Sequence, residues 1–181
     1  IMVGQSNYEQ PGKAFEEPAS VLGFSSGQNL TQSNLLPGSL ATTGPLAAAD
    51  VDGDGDLDLF VGGRTVPARY PEPADSRLFL NQDGEFKTDE SNYKVFEKFG
   101  LVTGAVFGDL DQDGDADLVV ALEWGPVKVM RNDAGKFVDA TKEWGLNTHK
   151  GWWNSVALGD YNGDGLLDIV AGNWGRNSKY E

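Results

Sequence analysis

The sequence predicts an all-β chain built of β-propeller blades, each of four antiparallel strands, and three observations carry the prediction. An Asp-rich nonapeptide recurs three times, beginning at Asp50, Asp109 and Asp160. The intervals of 59 and 51 residues are the length of one four-stranded blade with a variable loop. Each copy follows a short run of small and apolar residues and precedes a run that suits a half-buried strand. A second pattern, Asn-x-x-Gly-x-Phe, opens at Asn81 and again at Asn132, where it marks a further tight turn. Two hairpins per repeat give four strands.

The elements follow in that order. Ahead of the nonapeptides lie Leu46–Ala49, Gly104–Gly108 and Ser155–Gly159, small enough for an inner strand crowded by its neighbours near a propeller axis. Behind them lie Leu57–Val61, Leu118–Leu122 and Ile169–Ala171. The nonapeptide is therefore a hairpin connection between first and second strands. The Pro-rich stretch from Val66 to Pro73 falls between the second and third strands of the first full repeat as an ordered surface loop and accounts for its extra length. Val95–Phe99 and Thr141–Gly145 suit a helical turn each, joining one blade to the next, although strand or coil fits them too. The expected division is a partial blade at 1–43, blades at 44–100 and 101–150, and a partial blade at 151–181. Ile1–Gly4 with Tyr8 and Glu9 echoes Ile169–Gly172 with Tyr180 and Glu181. About three blades are thus expected, as a piece of a seven- or eight-bladed propeller closed by its remaining blades or by another copy of the chain. Repeat units bury their faces only against neighbours.

Composition narrows the partners. Acidic residues number 28 against 14 basic ones, a formal charge of −14, which disfavours nucleic acid and anionic membranes. No apolar run approaches the roughly 18 residues of a membrane span, so no membrane insertion is expected. Without cysteine there is neither a disulfide framework nor a thiolate metal site.

The nonapeptides offer the oxygen donors that calcium requires, about six to eight at roughly 2.3–2.6 Å. Positions 1, 3 and 5 carry Asp or Asn, position 6 is Gly, position 7 can give its carbonyl and position 9 is Asp. Crowding so many carboxylates together is unfavourable unless a cation neutralises them. Magnesium prefers rigid octahedral sites that retain water, and zinc would want Cys or His, of which His149 is the single example. An EF-hand or dockerin loop is excluded, because position 12 holds Val61, Val120 or Ala171 instead of an acid. The alternative for any one loop is a solvated Asp/Gly turn, which three copies in register disfavour.

The loops with their flanking strands, including Val106-Phe107-Gly108-Asp109, resemble FG-GAP/VCBS repeats, the blades of integrin α-chain propellers and of many secreted bacterial proteins. Leu59–Glu72, Glu123–Pro126 and Gly151–Asn154 are similar to the propeller part of ASPIC/UnbV-type proteins, the cartilage acidic protein-like group. The resemblance implies a secreted, extracellular or cell-surface location, with the periplasm as a further setting. It also implies about three Ca2+ ions, one per loop. Their ligands would be Asp50, Asp52, Asp54, Asp56 and Asp58; Asp109, Asp111, Asp113, Asp115 and Asp117; and Asp160, Asn162, Asp164, Leu166 and Asp168. Asn162 and Leu166 make the third site the weakest by charge.

Three functional classes remain in view. The leading one is a calcium-binding extracellular module for binding or adhesion to a protein or glycan partner, with Trp124, Trp153 and Trp174 as candidate ligand-binding residues and Trp152 beside them. Each of these indoles suits packing between blades as well. The second is a rigid spacer. The third is a propeller-based hydrolase or lyase acting on carbohydrate through carboxylates outside the loops, for instance Glu72 and Glu123. No Gly-x-Ser-x-Gly elbow occurs, nearly half the acids lie in the loops, and His149 has no evident partner in sequence, so the chain is not read as an enzyme. Asn29-Leu30-Thr31 is a glycosylation sequon in form.

Overall fold

A computed structural model of the protein describes residues 2–6, 21–25, 31–34 and 36–175. Tyr8, Glu9, Asn29, Tyr180 and Glu181 lie outside the described residues. The fold is all-β and antiparallel. Strands β1 (Met2–Gly4), β2 (Val21–Ser25) and β3 (Thr31–Asn34) form a three-stranded sheet. Strands β4 (Thr42–Ala49), β5 (Asp58–Thr65), β6 (Arg77–Gln82) and β7 (Glu85–Thr88) form a four-stranded meander. Strands β8 (Leu101–Gly108), β9 (Asp117–Gly125), β10 (Lys128–Asp133) and β11 (Lys136–Asp139) repeat it, and β12 (Gly151–Gly159) with β13 (Asp168–Asn173) repeats its first hairpin. The start of β12 also bonds to the end of β9, through Gly151 with Gly125 and Trp152 with Glu123, which ties consecutive sheets together.

The central strands β5 and β9 are apolar on both faces because each of the two four-stranded meanders is packed on both sides. In the first meander Phe60 faces Leu78 across the ladder, and both enter the core shared with the second meander; Leu59 faces Phe79, and both enter the core shared with β2. In the second, Leu118 and Met130 point back while Val119 and Val129 point forward to β12 and β13. The strand period of two therefore sorts side chains between two cores, not between core and water.

Inner strands approach one another closely. A Cβ on Gly44 would stand 3.1 Å from the Val102 carbonyl oxygen of β8, and one on Gly104 3.1 Å from the Val156 nitrogen of β12. Thr103 Oγ1 bridges the same gap, donating toward the Trp153 and Ala121 carbonyls at 2.6 and 3.1 Å. These approaches leave no room for a larger side chain at Gly44 or Gly104. Of the two joining segments, Val95–Phe99 shares only Val95 and Phe96 with the four-residue helix α1 (Tyr93–Phe96), which ends at an extended Glu97, and 141–145 is a hydrogen-bonded turn in which Trp144 N–H donates to the Ala140 carbonyl at 3.1 Å.

Candidate metal centres

The nonapeptides are the β4–β5, β8–β9 and β12–β13 connections. In the first, Asp50 Oδ1 and Oδ2 accept from Gly53 and Gly55 N–H at 2.8 and 2.9 Å, which winds the loop around its first carboxylate. The third does the same with Asp160, Gly163 and Gly165, at 2.6 and 2.9 Å. Left-handed backbone is needed at position 4 as well as position 6: φ is 78° and 95° at Gly53 and Gly55, and 63° and 97° at Gln112 and Gly114. The sequence pattern signals only position 6, since Gln112 stands where the other loops have Gly.

Asp50, Asp52 and Asp58 each bring an oxygen within 4.8 Å of the others, as do Asp109, Asp111 and Asp117. That spread matches oxygens ringed around one ion at calcium's bond length of about 2.4 Å. The donors are hard carboxylates, and Asp109 Oδ1 is buried without a hydrogen-bond partner. An orphaned buried carboxylate oxygen is unfavourable unless a cation faces it. The residues present therefore fit a calcium ion. In the third loop Asp160 and Asp168 take equivalent positions, and Asn162 Nδ2 donates to Asp164 Oδ2 at 3.0 Å.

Position 9 has a second task that its place in the sequence does not reveal. Asp58 is fully buried, and its oxygens accept from Val51 N–H at 2.9 Å and Asn81 N–H at 2.8 Å. Asp117 accepts likewise from Leu110 and Asn132 N–H at 3.0 and 2.8 Å. Each thus joins its own loop to the third strand of its blade. Burial pushes both carboxyls above the ordinary 3.8, and the neighbouring aspartates push the same way, against the pull of the two amide bonds. The exposed Asp160 lies below 3.8 because the Gly165 amide and further backbone N–H groups hold its charged form.

The side chains at position 7 turn outward to the next hairpin. Asp56 Oδ2 accepts from Asp83 N–H at 3.1 Å and Asp115 Oδ2 from Ala134 N–H at 2.8 Å, leaving their carbonyls as the groups that can face the ion. The receiving turns, Asp83-Gly84 and Ala134-Gly135, have positive φ at both residues, the type I′ geometry of a two-residue hairpin. Asn81 and Asn132 close them by accepting from Gly84 and Gly135 N–H, each at 2.9 Å. The Asn-x-x-Gly-x-Phe pattern is therefore the counterpart of the acidic loop.

At the opposite ends of the same strands lies an aromatic rim. Trp152 lies between Trp124 and Trp174 with tilted rings, at interplanar angles of 44° and 55° and centroids 5.0 and 4.5 Å away. Trp124 and Trp174 are 46% and 52% exposed. Trp124 has a left-handed φ of 64°, and its Nε1 donates to the Tyr70 hydroxyl at 2.6 Å. Tyr70 in turn donates to Glu123 at 2.6 Å, and Arg64 pairs with the other Glu123 oxygen at 2.5 Å. Glu123 is buried and held by these partners, whereas Glu72 is an exposed residue near Arg69. Trp153 differs from the rim indoles: it packs into the core beside β13, its Nε1 donates to the His149 carbonyl at 3.2 Å, and it lines a cavity of about 290 Å³ with Val127, Leu146, His149, Ile169 and Ala171.

Consecutive four-stranded antiparallel sheets, each with an acidic loop between its first two strands, define a repeat protein of the propeller-blade class. Residues 109–171 match the FG-GAP-like repeat family, and integrin alpha-V of Gallus gallus is 33% identical over 87 residues, which span 44% of this chain and 8% of the integrin. The second blade from its acidic loop onward and the β12–β13 hairpin are thus similar to FG-GAP-like repeats. Among the described residues no helix is long and apolar enough to cross a membrane.

Proposed function

We propose that the chain is a calcium-stabilised β-propeller module of an extracellular, cell-surface or periplasmic protein, serving as a binding or adhesion scaffold for a protein or glycan partner. The observation that carries this reading is the gathering of one buried, one half-buried and one exposed carboxylate at each of the first two acidic hairpins, with Asp109 Oδ1 lacking a hydrogen-bond partner. One ion per loop gives three, held by side chains at positions 1, 3, 5 and 9 and by the carbonyl of position 7. Leu166 and Asn162 leave the third loop with the least charge. The integrin relative supports an adhesive role, and further blades would cover the outer faces of the sheets. The rim of Trp124 and Trp174, fixed by tilted ring contacts with Trp152 and by the Tyr70–Glu123–Arg64 network, offers the partner its apolar surface.

Thermal unfolding in EDTA and across a calcium titration tests the reading. Calcium at about a hundred times its Kd should add ~2.7 kcal/mol to the stability. Asp54→Ala and Asp113→Ala should each reduce that gain, while Trp124→Ala with Trp174→Ala should leave it intact and weaken retention on arrays of glycans and matrix proteins. A melting temperature indifferent to calcium up to millimolar concentration would refute the metal assignment.

A further inference from the structure

The first two acidic loops belong to different blades, yet one buried residue connects them, through its backbone to one and its side chain to the other. Asn132 is fully buried on β10 of the second blade. Its backbone N–H donates to Asp117 Oδ1, position 9 of its own loop, at 2.8 Å. Its side-chain Nδ2 donates across the interface to the carbonyl of Val51 at 2.8 Å, and Val51 is position 2 of the preceding blade's loop. Its Oδ1 accepts from Gly135 N–H, and Gly135 lies so close to the first loop that a Cβ there would be 3.4 Å from Asp52 Cβ. Asn92, from the segment after β7, holds the same turn from the other side, bonding the Gly135 carbonyl and the Phe137 N–H, each at 2.8 Å.

We infer that Asn132 is a positioning residue for the first metal loop, acting from the neighbouring blade, so that cation binding by the first loop depends on correct docking of the second blade. The inference rests on the calcium reading above. Val51 lies between Asp50 and Asp52, and its own N–H is fixed by Asp58 Oδ2 at 2.9 Å. With Asn132 holding the Val51 carbonyl, the peptide planes on both sides of Val51 are locked, and these set the directions in which the Asp50 and Asp52 carboxylates leave the chain. Locking ligands before the ion arrives removes an ordering penalty from binding, as outer hydrogen bonds do at other metal sites. The coupling has a built-in asymmetry. Substitution of Asn132 leaves the residue-132 backbone N–H in place, so the bond to Asp117 survives while the bond to Val51 is lost.

The test uses the full chain with single loops left intact. Asp113→Asn with Asp164→Asn leaves the first loop, and Asp54→Asn with Asp164→Asn leaves the second; calcium is titrated calorimetrically into each, with and without Asn132→Ala. Asn132→Ala should weaken calcium at the first loop roughly three- to tenfold, the range of one lost hydrogen bond, and leave the second within about twofold. Asn132→Ser, which keeps a hydroxyl to accept from Gly135 but cannot span to Val51, should behave alike and serves if the alanine variant folds poorly. Equal losses at both loops, or none at the first, would overturn the inference while leaving calcium binding itself in place. No binding by the unsubstituted chain would instead remove the calcium reading on which it rests.

Discussion

Two aspartates four positions apart in the same loop do different physical work. Asp54 is exposed and its Oδ1 accepts from the nearby Asp56 N–H at 2.8 Å, so under the proposed function its carboxylate acts through a cation. Asp58, and Asp117 in the second loop, satisfy two amides each in the interior. Asp117→Ala should therefore destabilise the chain by about 2–4 kcal/mol in EDTA as well as in calcium, since two N–H donors are stranded. Asp54→Ala should lose stability only when calcium is present; urea unfolding in both conditions separates the two. The raised pKa of Asp58 and Asp117 has a pH consequence. A folded value above the unfolded one means that the metal-free fold favours the protonated acid, so this contribution is present below 3.8 and is lost as pH rises through each raised value. Calcium favours the carboxylate and opposes it. Calcium affinity should accordingly rise with pH from about 4 upward until both groups are ionised. Calorimetry in buffers of different ionisation enthalpy should show proton release at the acid end of that range and none at neutral pH.

Among the elements, the short helix α1 is held by packing between the blades. Four residues form no stable helix alone, and α1 has no side-chain cap. It is kept by Phe96, 1% exposed, whose ring lies 5.4 Å from both Phe60 and Phe99 and 5.7 Å from Phe137. These rings come from both four-stranded sheets and from the segment joining them, so Phe96 acts as a plug between blades. Phe96→Ala should cost about 3–5 kcal/mol and lower the cooperativity of unfolding, read as a smaller denaturant m value if the two blades part. The hairpins were legible in sequence, for the nonapeptide and the Asn-x-x-Gly-x-Phe turn each carry their own chemistry. The helical turns were less so, because their hold comes from packing and not from local propensity.

At the scale of the whole molecule, a formal charge of −14 opposes compaction, and the acidic loops concentrate part of that charge at one end of the strands. Raising sodium chloride from about 20 mM to 0.3 M shortens the screening length from roughly 20 to 6 Å, and should raise the melting temperature in EDTA. The same change should have a smaller effect in saturating calcium, where the loops are already neutralised. The sequence by itself determined the strand class, the hairpin order, the acidic loops and the likeness of the repeat to FG-GAP-like repeats, because turn chemistry and the period of two act over a few residues. Only the tertiary structure decided how those residues divide their duties. Position 9 binds the next strand, position 7 binds the next turn, Asn132 reaches 81 residues back to Val51, and Trp153 enters the core while Trp124 and Trp174 form a rim. These outcomes depend on contacts between blades, and the distance between two side chains from different repeats is fixed by how the sheets stack, a quantity that no local pattern contains.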